Sequence, residues 1–244
     1  VGRPLGQHFL FHPGILDRIA DAACSGASAR VIEIGCGPGT LTERLLGRAS
    51  ELVGIETDPR LAAGLRARLG SHDRFRLIEA DVLEVDFAPF APAIVCGNIP
   101  YYITGPILRK TLALGHGLVR AVFLVQREVA LRLAARPGSR DYGFLSVAAQ
   151  ALCAVENLFT VKAGAFRPPP KVDSAVVRLT PRPAPRVADY ARFLEFAELC
   201  FRHKRKTLRN NLGREDIPFA SRRAEELSVE ELELVRAAWA AKQA

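Results

Sequence analysis

The chain is poor in cysteine and has none in pairs. Cys24, Cys36, Cys96, Cys153 and Cys200 are odd in number, widely scattered and free of any Cys-x-x-Cys spacing. That excludes a disulfide framework and a zinc site, and leaves small hydrophobes expected to be reduced and buried in a cytoplasmic protein. Long apolar runs are missing too: nothing approaches the ~18 consecutive residues that a membrane span needs. The opening VGRPLGQHFL has neither the apolar stretch of a signal peptide nor an initiator methionine, so the chain is expected to begin inside a longer product. His8 and His12 stand four apart, but Pro13 follows and no carboxylate or thiol stands beside them, so no metal is expected.

Acidic residues are the scarcer charge. Lys and Arg number 34 against 26 Asp and Glu, a net charge of +8. The excess is segregated. From Arg202 to Arg214, RHKRKTLRNNLGR holds basic residues and no acidic one, and from Lys162 to Arg186 only Asp173 interrupts the positive charge. Residues 225–233 are acidic and read as an exposed helix face. A positive surface of this kind points to a polyanionic partner, with Arg202, Lys204, Arg205, Lys206 and Arg209 as the candidate contacts.

Alternation of short β-branched runs with helical patterns organises the first two thirds. ARVIEIG, ELVGIETD, RFRLIEAD, APAIVCGN and RAVFLVQ are of strand length, and GTLTERLLGRA, DPRLAAGLRARLG and GPILRKTLALG lie between them. This rhythm predicts an α/β fold with a mainly parallel sheet and helices on both faces. AVENLFTV and SAVVRLTP have no long helix between them and are expected to form an antiparallel ribbon at one edge. RLTPRPAPR reads as a stiff linker. Beyond it the patterns are helical only: DYARFLEFAELCFRHKRKTLRNNL, then LSVEELELVRAAWAAKQ, where Ser228 and Glu231 form a capping box. Two domains are expected, residues 1–180 and a small all-helical one over 181–244.

The chemistry gathers at the strand ends. In EIGCGPGT, Gly35, Gly37 and Gly39 let the backbone turn tightly and approach a ligand, and the helix that follows adds partial positive charge. Glu56, ending the second strand, suits ribose hydroxyls, and Asp81, ending the third, suits an adenine amino group. The spacing is G-x-G-x-G, whereas a nicotinamide dinucleotide site usually shows G-x-G-x-x-G. After the fourth strand comes GNIPYYIT. The exocyclic amine of adenine is a poor nucleophile because its lone pair is delocalised. The Asn98 side-chain oxygen and the Ile99 main-chain carbonyl can accept its two hydrogens and favour a pyramidal nitrogen. Pro100 fixes the carbonyl direction, and Tyr101 offers a stacking face. Tyr102 reads as a pocket wall or a packing ring.

Gly35, Glu56, Asp81 and GNIPY together resemble the class I S-adenosylmethionine-dependent methyltransferases, with a Rossmann-like sheet. LGQHFL, EIGCGPGTLT, GNIPYYIT, QREVALRL, YGFLSV, AFRPPPKVDSAVVRL and FRHKRKTLRNNL occur in this order and extend the resemblance over nearly the whole chain, to the small-subunit ribosomal RNA adenine dimethyltransferases. The resemblance implies transfer of two methyls to each of two adjacent adenosines in the 3′-terminal hairpin of small-subunit rRNA, during ribosome biogenesis. It implies S-adenosylmethionine as cofactor, touched by His8, Leu10, Gly35, Glu56, Asp81 and Asn98, and Phe166 stacked on the target base opposite Tyr101. The expected partner is rRNA or the immature small subunit, with no membrane and no metal, and the protein is expected to be a monomer. The family often carries Asn where this chain has His8 and Leu where it has Ile99. Three rivals stand beside this reading: the large-subunit rRNA adenine methyltransferases of macrolide resistance, an RNA-binding assembly factor without turnover, and an NAD-linked oxidoreductase.

Overall fold

The computed structural model describes residues 8–26 and 29–241. Seven strands form one sheet: β2 (Arg30–Ile34), β3 (Glu51–Glu56), β4 (Phe75–Glu79), β5 (Ala93–Asn98), β6 (Leu118–Gln126), β7 (Cys153–Val161) and β9 (Ser174–Pro181). Two further strands of two residues each, β1 (Phe9–Leu10) and β8 (Phe166–Arg167), pair antiparallel outside it. The five apolar runs predicted as strands are β2 to β6, and they pair in parallel. AVENLFTV and SAVVRLTP fall on β7 and β9, which are neighbours at one edge, and β9 also runs antiparallel to β6.

The sheet order β4-β3-β2-β5-β6-β9-β7 places the site. The chain leaves β2 towards β3 and β4 on one side, then returns to β5 on the other. Between β2 and β5 the connections therefore diverge, and a crevice opens at the carboxyl ends of those two strands. Gly97 lies opposite Ile34 in this pair, and a Cβ on it would run into the Ile34 carbonyl oxygen. Only glycine lets the two strands stay this close where the crevice begins.

Helices cover the sheet. They are α1 (Pro13–Cys24), α2 (Thr40–Leu46), α3 (Pro59–Leu69) and α4 (Thr104–Leu112). Leu16 and Ile19 of α1 and Leu41 and Leu45 of α2 share a core with Val31, Leu52, Ile94, Val122, Leu124 and Val176. Strand residues of the other parity, such as Ile32, Val53, Val95 and Phe123, are buried as well. Both faces are thus apolar, which is why these strands read as nearly continuous hydrophobic runs.

The chain divides into two compact units. The first comprises the described residues up to Ala130 together with Glu156–Pro181; the second comprises Leu131–Val155 and the chain from Arg182 onward. The sequence placed a single boundary at 180, and the second unit is larger than that. The reason lies in packing. α5 (Arg127–Leu133) runs across the first crossing, and α6 (Phe144–Gln150) follows it. Tyr142, Val147 and Ala151 pack into one core with Phe193, Phe196 and Cys200 of α7 (Tyr190–Phe201) and with Leu232 and Val235 of α9 (Val229–Ala240). The Tyr190 hydroxyl also donates to the Ala148 carbonyl at 3.0 Å. At the start of α9 the expected capping box is formed: Glu231 N–H donates to Ser228 Oγ at 3.1 Å, and Ser228 N–H to the Glu231 carboxylate at 2.8 Å.

All five cysteines are free and buried. Among the described residues no group of three potential metal ligands occurs, and no helix is long and apolar enough to cross a membrane.

Candidate cofactor and acceptor-base site

The glycine loop leaves β2 with three glycines in the left-handed region, Gly35 (φ +69°), Gly37 (φ +56°) and Gly39 (φ +86°). At Gly37 a side chain would also come to 3.0 Å of the Phe9 ring. The loop is pinned from β3. Gly35 N–H donates to the Ile55 carbonyl at 2.9 Å, and Gly37 N–H donates to Glu56 Oε2 at 2.7 Å. The other oxygen of Glu56 accepts from Asp58 N–H at 2.9 Å. Glu56 is only 3% exposed, so in this structure its carboxylate organises the loop. Each oxygen retains capacity for a further donor.

Leu10, Gly35, Gly37 and Asn98 line one cleft of about 380 Å³, part of it open to solvent, with Glu33 and Leu124. Glu56 reaches this cleft through its bond to Gly37. Asp81 does not line it. The residue lies two positions beyond the end of β4, exposed, with Oδ1 accepting from Leu83 N–H at 2.9 Å. His8 also stands outside the lining, but its main-chain carbonyl accepts from Asn98 Nδ2 at 2.9 Å.

Ile99 is buried, and its N–H donates to the Leu124 carbonyl at 3.0 Å, fixing the loop to β6. The Pro100 carbonyl accepts from Ile103 N–H at 3.1 Å and so turns the chain into α4. The Tyr101 side chain lies outside the described structure. Tyr102 is neither wall nor packing ring: it is 67% exposed.

Two expectations need correction. Phe166 is 2% exposed and belongs to the core under α1 and α2, so its ring has no open face for a base. Its backbone sits opposite Leu10 in the β1–β8 pair, and both side chains belong to the same buried cluster. The basic segment is not one helix. α7 ends at Phe201, residues 202–206 form a turn, and α8 (Leu208–Leu212) starts anew. Asn211 explains the break: its Nδ2 donates to the Cys200 carbonyl at 2.8 Å and to the His203 carbonyl at 3.3 Å, satisfying groups a continuing helix would have used. Arg202, Lys204, Arg205, Lys206 and Arg209 are all exposed. Arg209 pairs with Glu215 at 3.5 Å, and Lys204 donates to the Arg140 carbonyl at 3.4 Å.

Glu33 is a site residue that sequence reasoning missed. It is the last residue but one of β2, 1% exposed, and its Oε2 has no hydrogen-bond partner among the described residues. Burial pushes its carboxyl up to about 8; the nearby Thr42 hydroxyl and Cys36 thiol oppose the shift, and the Glu56 charge adds to it. The signal was available: one acid inside the apolar run ARVIEIG, where a strand buried on both faces should have none. Burial, then Glu33 and Glu56, also keep the Cys36 thiol protonated, so it offers no thiolate nucleophile.

A family model described as "Ribosomal RNA adenine dimethylase" matches residues 3–235. The chain belongs to that family. It is 46% identical over 214 residues to ribosomal RNA small subunit methyltransferase A of Acidobacterium capsulatum, covering 85% of this chain and 76% of the relative. To the protein of the same name in Prosthecochloris aestuarii it is 41% identical over 244 residues, covering 96% and 92%. Among solved structures, a dimethyladenosine transferase from Plasmodium falciparum superposes with a TM-score of 0.85 at 27% identity, covering 97% of this chain and 98% of that one. The 23S rRNA methyltransferase ErmE gives 0.75 at 30% identity, covering 94% and 98%.

The cofactor of this dimethylase family is S-adenosylmethionine, and the residues present fit it. The cleft has a glycine floor for close approach, buried acidic groups near it and an unpartnered carboxyl oxygen in its wall. Such a lining suits a nucleoside whose hydroxyl and amino groups donate to acceptor oxygens. A nicotinamide dinucleotide would bring a pyrophosphate to the same acids.

Proposed function

We propose that the chain transfers methyl groups from S-adenosylmethionine to the exocyclic amines of two adjacent adenosines in the 3′-terminal hairpin of small-subunit rRNA, in the course of small-subunit biogenesis. The observation that carries this reading is the setting of Asn98. It ends β5 on the wall of the glycine cleft, and its amide nitrogen is engaged by the His8 carbonyl at 2.9 Å, which turns the amide oxygen the other way. That oxygen and the Ile99 carbonyl accept the two amine hydrogens and aim the nitrogen lone pair. When bound, the cofactor supplies an electrophilic methyl group. The attacking nitrogen becomes acidic as it gains the methyl, the methyl–sulfur bond breaking in the same step, so its proton passes to water and no strong base is required.

Gly35, Gly37, Leu10 and Asn98 hold the cofactor, with Glu56 and Asp81 taking its ribose and base and His8 meeting it through the main chain alone. Tyr101 stacks on the target adenine. Arg202, Lys204, Arg205, Lys206 and Arg209 contact phosphates, which position RNA without reading its sequence. The protein acts as a monomer in the cytoplasm on immature small subunits. The names of relatives at 41–46% identity support the small subunit as target. The test is to incubate the protein with purified small and large subunits and methyl-labelled cofactor. Label on two adjacent adenosines near the 3′ end of small-subunit rRNA is expected; label confined to the large subunit would overturn the assignment.

A further inference from the structure

His8 is held at two points. Its main-chain carbonyl accepts the Asn98 amide nitrogen at 2.9 Å, and its ring Nδ1 lies 2.8 Å from the Pro168 carbonyl oxygen. A carbonyl oxygen can only accept, so Nδ1 carries a proton and donates. The two residues after His8 are fixed as well. Phe9 and Leu10 pair with β8, and Thr40 Oγ1 donates to the Leu10 carbonyl at 2.9 Å. One short segment therefore joins the glycine loop, the end of β5, and β8 with the proline that follows it.

We propose that His8 is a positioning residue for methyl transfer, its ring anchored on Pro168 so that its main-chain carbonyl selects the orientation of the Asn98 amide. The inference rests on the functional reading above. A primary amide has nearly the same shape with its oxygen and nitrogen exchanged, so sterics alone do not choose between the two. The choice is made by partners. With the His8 carbonyl in place, Asn98 Nδ2 faces it and the oxygen is left to accept from the target amine. With that carbonyl displaced, the flipped amide presents N–H groups to an amine whose own hydrogens need acceptors. The acceptor nitrogen is then misaimed, and misplacement on this scale costs up to roughly a hundredfold in rate.

The test compares His8→Ala with His8→Asn. Asn carries an N–H donor at a reach similar to Nδ1, so it restores the anchor without an imidazole. Expected for His8→Ala is a fall of roughly tenfold to a hundredfold in single-turnover methyl transfer at saturating cofactor. S-adenosylmethionine affinity by calorimetry should stay within about twofold, and His8→Asn should recover most of the rate. In protein labelled with ¹⁵N-asparagine, the Asn98 side-chain amide signal should shift in His8→Ala and return in His8→Asn, which reads the contact directly in folded protein. A parental rate in His8→Ala would overturn the proposal. So would an equal fall in cofactor affinity, which would make the His8 side chain a cofactor contact, or a His8→Asn variant as slow as His8→Ala, which would give the imidazole itself a chemical role. The parent's own rate separates the two readings: an inactive parent overturns the functional reading and this one with it, whereas an active parent with an unaffected His8→Ala overturns this one alone.

Discussion

Glu56 and Phe166 show how far a single residue's role can be read before its surroundings are known. A carboxylate at the end of the second strand was legible because the position alone favours hydroxyl recognition. That both its oxygens accept main-chain N–H groups, from Gly37 and Asp58, depends on a loop folding back from β2, and no local pattern encodes it. The consequence is testable. In Glu56→Gln one of those N–H groups faces an NH₂ group, the glycine loop loses its tether, and the cofactor loses an ionised acceptor. Calorimetry should show cofactor binding weakened by about 1–3 kcal/mol; unchanged affinity would leave Glu56 with a purely structural role. The family resemblance implies a stacking role for Phe166, yet its ring is part of the core. Phe166→Ala should therefore lower the unfolding free energy by about 3–5 kcal/mol, the cost of an emptied aromatic site. A variant of parental stability that captures RNA poorly would return the ring to the substrate.

Elements with strong local signals were legible, and those ended by distant contacts were not. The capping box of α9 needs only Ser228 and Glu231, three residues apart, and it formed as the spacing predicted. Ser228→Ala should cost about 1 kcal/mol in thermal or urea unfolding, and a change within error would show that the box is dispensable. The sequence pattern of α7 runs on through Arg202 and Arg205, because Arg and Lys are good helix formers and no Gly or Pro intervenes. What stops it is Asn211, nine residues beyond Arg202, whose amide takes the carbonyls at the helix end. The basic cluster is consequently a turn, and its guanidiniums are not aligned along one helical face. This alters which side chains should be tested. Arg202, Arg205 and Lys206 are exposed and make no ion pair among the described residues, whereas Arg209 already faces Glu215. Replacing those three by Gln should leave cofactor affinity intact and weaken RNA binding. Each lost phosphate contact should flatten the log–log salt dependence by roughly 0.7–0.9. Parallel salt lines for parent and variant would remove this turn from the RNA interface.

At the scale of the whole molecule, sheet class and strand sequence followed from periodicity, since a parallel strand buried on both faces must be apolar throughout. The same rule makes Glu33 the exception, and its effect is on global stability. Its carboxyl lies buried in β2 with one oxygen unpartnered, and burial raises it from an ordinary 4.5 to about 8. The folded state therefore keeps a proton that the unfolded chain releases between these values, so folding stability must fall as pH rises through this window. Below about pH 4.5 both states are protonated and the penalty is absent; above about pH 8 it is complete, a few kcal/mol in size. Asp58 and Asp173 act with the opposite sign. Hydrogen bonds, led by Arg60 N–H for Asp58 and by Lys162 for Asp173, hold both low, so their contributions are lost only on acidification. Glu33→Gln keeps the neutral form at every pH. The variant should match the parent near pH 5, and its advantage should grow towards pH 8. The probe must see the sheet. Trp239, the chain's sole tryptophan, packs on Phe196 in the helical unit, so its emission follows that unit, whereas far-UV circular dichroism includes β2. Urea titrations by circular dichroism at pH 5, 6.5 and 8 would show the divergence. If the two proteins stay parallel across the series, Glu33 titrates in the folded protein as it does in the unfolded chain, and burial does not hold its proton.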